Sequence, residues 1–163
     1  MAEAGAAVGR TWRGWSCGEA FILAGAVLLI ADLILLPWHH YALHVDVSGL
    51  GITLPRFSYN RTGVQSPHAV LGELAVIIAA LMAVQVVAVK AQPVPALVRL
   101  TQLQLVAGPG ALALLISKFF SDDAFLGAGA WLALLFGVIL AIGGYLRSQD
   151  SATVPGPAVG RES

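Results

Sequence analysis

Charge is scarce in this chain of 163 residues: 9 Lys+Arg balance 9 Asp+Glu, and together they make up only 11% of it. An average soluble domain carries about 25% charged residues. With 58% of the residues hydrophobic, too little polar surface remains to cover a water-soluble globule, and the composition is that of a membrane protein. No basic cluster is present, which excludes a nucleic-acid footprint. The single cysteine excludes an internal disulfide. Missing too are a nucleophile–base pair, a phosphate-binding glycine loop, Cys/His metal spacing and a helix-borne zinc motif, so the chain reads as non-enzymatic.

What is present is long apolar runs. A bilayer core of about 30 Å needs roughly 20 mostly apolar residues per helix, and four runs meet that length. They are 18–37, 67–89, 96–117 and 125–146, the first two each interrupted by one carboxylate. The expected fold is all-α, a four-transmembrane-helix bundle with one long outer loop at 38–66. Residues 1–17 form a short leading segment, 18–147 the membrane domain, and 148–163 (SQDSATVPGPAVGRES) a Pro/Gly/Ser-rich tail that reads as disordered. Ser66-Pro67 and Pro95 open the second and third helices, and Asp122 and Asp123 precede the fourth, where negative charge favours a helix N-terminus. Gly108-Pro109-Gly110 predicts a kink in the third.

Orientation follows the Lys/Arg distribution. With both termini cytoplasmic, Arg10, Arg13, Lys90, Arg99, Arg147 and Arg161 lie inside, against Arg56, Arg61 and Lys118 outside. Trp12, Trp15 and Tyr145 then mark the inner interface, and Trp38, Tyr41, Phe119 and Phe120 the outer one. The first run is too long for a signal h-region and lacks a cleavage site, so it reads as a retained span of a plasma-membrane protein. Cys17 precedes it as an interfacial thiol. In the outer loop, Leu43, Val45 and Val47 alternate with polar residues and Ile52 and Leu54 resume the alternation after Gly49 and Gly51, which predicts a short β-hairpin. Asn60-Arg61-Thr62 matches a glycosylation triplet.

Ionisable groups within a span mark functional candidates. Asp32 and Glu73 lie about 7.5 and 9 Å below the outer surface at 1.5 Å rise per residue, so they meet if their helices pack face to face. Such a pair holds a proton or recruits a cation, with Arg56, Arg61, Lys118 and His68 as candidate partners. His39, His40, His44 and His68 all fall near the outer surface, and His39, His40 and His68 are the candidate metal ligands. No histidine lies within a span, so a transmembrane bis-histidine haem has no ligands there. Gln85 and Gln102 share a depth and are expected to bridge the second and third helices. Gly129, Ala133, Gly137 and Ala141 form a small-residue stripe on the fourth helix, and Ala75, Ala79 and Ala83 form another on the second. Such stripes are where membrane helices approach closely.

Leu36-Pro37-Trp38 at the exit of the first span and Gly129-Ala130-Trp131 at the start of the last resemble a loose group of four-helix integral membrane proteins frequent in actinobacteria. The likeness runs roughly over residues 20–147. Many of those proteins carry an aromatic before the second helix, where this chain has Ser66-Pro67-His68. The resemblance implies a four-helix membrane fold and no particular activity.

The reading that follows is a non-catalytic membrane protein working by association, an accessory or scaffold subunit whose partners are the lipid bilayer and other membrane subunits or further copies of itself. No cofactor is called for. Two alternatives stand beside it: a proton- or cation-coupled permeation or binding protein centred on Asp32 and Glu73, and a metal- or haem-binding subunit using the outer histidines.

Overall fold

A computed structural model of the chain describes residues 14–43, 46–47, 52–53, 57–65, 68–91, 100–122 and 126–152. It contains helices α1 (Cys17–Leu35), α2 (Ala69–Ala91), α3 (Gln104–Ser121) and α4 (Ala128–Ala152). A 3-10 turn at Leu100–Leu103 leads into α3. All four, with that turn counted into α3, are long and apolar enough to cross a membrane. The chain is thus a multi-pass four-helix membrane protein.

The helix ends have local causes. Ser16 caps α1: its hydroxyl accepts from the Glu19 N–H at 3.2 Å while the Glu19 carboxylate accepts from the Ser16 N–H at 2.9 Å, a reciprocal capping box. Pro37 ends α1, because the residue before a proline is pushed to extended backbone; Leu36 has φ −91° and ψ 148°. The helix α3 continues through Pro109 and ends at Ser121, later than the expected 117. The helix α4 runs to Ala152, so residues 148–152, assigned from composition to the tail, are its last turn. The rest of that tail, the leading residues 1–13, Asp123 and Pro95 lie outside the described residues.

The helices form an antiparallel ring in which each packs on its chain neighbours and α4 closes against α1. The α1–α4 seam is built on backbone approach. A Cβ at Gly18 would lie 2.6 Å from the Arg147 N, one at Gly25 3.0 Å from the Leu140 N, and one at Gly143 2.7 Å from the Ile22 N. At Gly18 and Gly143 only glycine permits that separation, and in lipid such close contact takes the place of a hydrophobic driving force.

The long loop carries the anticipated strands in a more extended arrangement. Strand β1 (Pro37–Leu43) pairs antiparallel with β4 (Phe57–Thr62), in register from Pro37–Thr62 to Leu43–Phe57, with an irregularity between Pro37 and His39. Nearer the tip, β2 (Asp46–Val47) pairs with β3 (Ile52–Thr53). The expected alternation at Val45 and Leu54, and His44, lie outside the described residues. The hairpin is fastened to the bundle: the Gly127 N–H donates to the Trp38 carbonyl at 2.6 Å, and His39 forms an isolated β-bridge with Leu126. We call this the sheet end and the opposite face, where α1 begins and α4 finishes, the terminal end.

Candidate functional site

The sheet end encloses a charged cluster with Asp122 at its centre. Asp122 caps the C-terminus of α3 rather than the N-terminus of α4, the position read from the sequence. One turn earlier on the same helix, Lys118 is fully buried and its Nζ donates to Asp122 Oδ2 at 2.7 Å and to the His68 carbonyl at 3.3 Å. The His68 ring, half-exposed, sets Nδ1 2.6 Å from Asp122 Oδ1. His68 adopts φ 51°, a left-handed conformation in which histidine is among the better-tolerated residues. These bonds pin the start of α2 to the end of α3.

Two residues of β1 complete the enclosure. His39 is buried with its Nε2 3.9 Å from Asp122 Oδ2 and its ring stacked on Tyr41. Trp38 turns inward over Lys118, whose Nζ is 5.1 Å from the indole centroid; it is not the interfacial belt residue that its position suggested. The histidines proposed as ligands are thus divided. His39 and His68 converge on one carboxylate, while His40 bonds Asn60 at 2.7 Å on the exposed side of the sheet. Among the described residues no group of three His, Cys, Asp or Glu side chains is arranged to hold a metal ion.

Burial pushes the His39 imidazole below its ordinary value near 6.5, against the attraction of Asp122. The unfolded chain therefore binds more protons than the folded one as pH falls through that value. Stability contributed by neutral His39 is complete above it and declines below it. Thermal unfolding in detergent between about pH 8 and about pH 5 should show a steeper acid loss for the wild-type chain than for His39→Gln. Equal slopes would remove His39 from the acid response.

The carboxylates expected to meet in the membrane do not. Asp32 is buried, 2% exposed, and among the described residues nothing bonds either of its oxygens. Glu73 lies on the exposed face of α2. Of the partners considered for Asp32, Lys118 and His68 are engaged with Asp122, Arg61 stacks on Tyr59 at 5.3 Å, and Arg56 is outside the described residues.

A second polar cluster lies towards the terminal end. Gln104, not Gln102, bridges the helices: its Nε2 donates to Gln85 Oε1 at 3.2 Å and to the Met82 carbonyl at 3.3 Å, and its Oε1 accepts from Arg147 at 2.9 Å. Gln102 sits exposed in the 3-10 turn, whose tighter winding rotates that face away from α2. Lys90, at the end of α2, reaches Glu19 at 3.1 Å and the Gly14 carbonyl at 2.6 Å, with its Nζ 5.4 Å from the Trp15 centroid. The Ser16-x-x-Glu19 spacing was the available signal for this clamp. Between α2 and α3 lies an apolar groove of about 400 Å³ whose lining includes Gln85 and Gln104.

The small-residue stripes lie inside the bundle. Ala75, Ala79 and Ala133 are fully buried. Gly129 abuts Leu36 and Pro37, Gly137 abuts Leu112 and Leu115, and Ala141 lies against Gly108, while Ala83 is part-buried beside the core. Cys17 is a free, exposed thiol at the start of α1. No protein-family model matches the chain, and comparison with characterised proteins and with solved structures yields no match.

Proposed function

We propose that this is a non-catalytic plasma-membrane protein that works by association, an accessory or scaffold subunit of a larger membrane assembly, with both termini cytoplasmic. The observation that carries the reading is Glu73. It stands on the exposed side of α2 among Val70, Leu74 and Ile77, themselves 62%, 42% and 52% exposed. Its Cα lies about 6 Å into the helix from Ala69. Among the described residues nothing bonds its carboxylate. A charge directed at hydrocarbon costs up to about 2.5–3.5 kcal/mol at mid-membrane and less towards the interface. A partner helix that offers a cation or a hydrogen-bond donor at that depth removes the cost. The small-residue stripes do not supply this surface, because the bundle itself occupies them.

Purification from the native membrane in mild detergent, followed by mass spectrometry, tests the reading. The wild-type chain should emerge with a stoichiometric membrane partner or as a defined oligomer. Glu73→Leu, which makes the exposed face wholly apolar, should yield a folded monomer. A monodisperse lone monomer from wild type would reject association.

A further inference from the structure

Among the described residues, three buried side-chain polar atoms have no hydrogen-bond partner: both carboxyl oxygens of Asp32 and the Trp38 indole nitrogen. They share the sheet end of the bundle, six residues apart in sequence. The surroundings of Asp32 explain its isolation. The antiparallel register that sets Gly25 beside Leu140 and Leu36 beside Gly129 brings Asp32 to the level of Ala133. Around that level α4 presents Gly129, Ala130, Ala133 and Gly137, all buried, and none offers a side-chain donor. The Trp38 Cε3 edge lies at the Gly63 site, which leaves Nε1 on the opposite edge of the ring.

Among the described residues, the other charged groups near this seam are engaged or turned away. On α1, Glu19 is at the far end, in the cap and the Lys90 bridge. On α2, Glu73 faces outward and Lys90 is at the terminal end. On α3, Lys118 bonds Asp122. On α4, Tyr145, Arg147 and Asp150 belong to the terminal end. In the sheet, His39 faces Asp122, His40 bonds Asn60 and Arg61 lies over Tyr59.

An ionised carboxylate enclosed without a cation or donor is among the costliest arrangements in a low-dielectric interior, whereas a neutral carboxyl costs only an unmade hydrogen bond. A metal cation would need several further oxygen ligands, which glycine and alanine side chains do not provide. We propose that Asp32 is an intramembrane proton-binding site: the carboxylate takes up one proton to form a neutral carboxyl, with no counter-ion, while the α1–α4 seam is closed. Release of that proton strands a charge against a face of glycine and alanine. The seam must then part at the sheet end to admit water, so proton occupancy is coupled to α1–α4 packing. This site is independent of association through Glu73.

Infrared spectroscopy of the full chain in lipid vesicles at neutral pH reads the bound proton directly through the C=O stretch of a protonated carboxyl. The band should be present in the wild type, shift in D2O, disappear in Asp32→Asn and persist in Glu73→Gln. In Asp32→Glu, which retains a carboxyl should Asp32→Asn fail to fold, it should persist at a shifted frequency. A wild-type spectrum without the band overturns the proposal. So does a band that survives unchanged in Asp32→Asn or Asp32→Glu. Loss of the wild-type band on adding sodium at constant pH would also overturn it, identifying a metal-cation site instead.

Discussion

Replacing Lys118 with Met should cost the bundle about 3–5 kcal/mol, the usual penalty for breaking a buried ion pair from one side. Lys118 is fully enclosed and its charge is matched by Asp122 at 2.7 Å. Removing the cation leaves a carboxylate with both oxygens buried, facing the imidazoles of His68 at 2.6 Å and His39 at 3.9 Å. It also frees the His68 carbonyl, at the point where α2 enters the bundle, and removes the cation over the Trp38 ring. The loss should be largely recovered in the double variant Lys118→Met/Asp122→Leu, because the uncompensated charge then disappears with its partner. Reversible unfolding in mixed micelles, compared across the two single variants and the double, measures the coupling. A single variant within about 1 kcal/mol of wild type would show that Lys118 contributes no more than a surface pair would.

Gly143→Leu should destabilise the protein by about 3 kcal/mol, at the upper end of typical overpacking penalties. A Cβ at that position would lie 2.7 Å from the Ile22 backbone nitrogen and 2.9 Å from Ile22 Cγ1. Rotamer changes cannot relieve the first contact, since it is backbone. The helices α1 and α4 must therefore separate along the seam that Gly18 and Gly25 also hold closed. A control is available on α3: a Cβ at Gly110 meets nothing within 4 Å, so Gly110→Ala should change stability by no more than about 0.5 kcal/mol. Similar effects for the two substitutions would mean that the α1–α4 seam yields easily and is not the tight interface described.

Several particular residues show where one-dimensional reasoning succeeds. Pro37 ended α1 as its effect on the preceding residue requires. The four apolar stretches became four helices because bilayer thickness sets a length that composition alone can meet. The hairpin followed from alternation and glycine punctuation, although its paired base, Pro37–Leu43 with Phe57–Thr62, extended beyond the alternating residues. Asp122 shows where the reasoning fails. Its position before α4 suggested a helix-dipole role, whereas the end of α3 reached further than the apolar count implied and drew Asp122 into a cluster with Lys118 and His68. Gln102 failed for a related reason: facing direction depends on winding, and the 3-10 turn put Gln104 against Gln85 instead.

Solvent choice, helix number and the presence of costly acids in the membrane were thus legible in the order of residues, since each depends on local composition and chain length. Which acid is enclosed and which faces outward was not. Asp32 and Glu73 lie at similar depths, and the rotation of α1 and α2 about their own axes separates them. That rotation is set by the backbone contacts of Gly18, Gly25 and Gly143 across the α1–α4 seam and by the docking of Gly72 against Gly63. These contacts join residues far apart in the chain, and their geometry arises only when the helices pack.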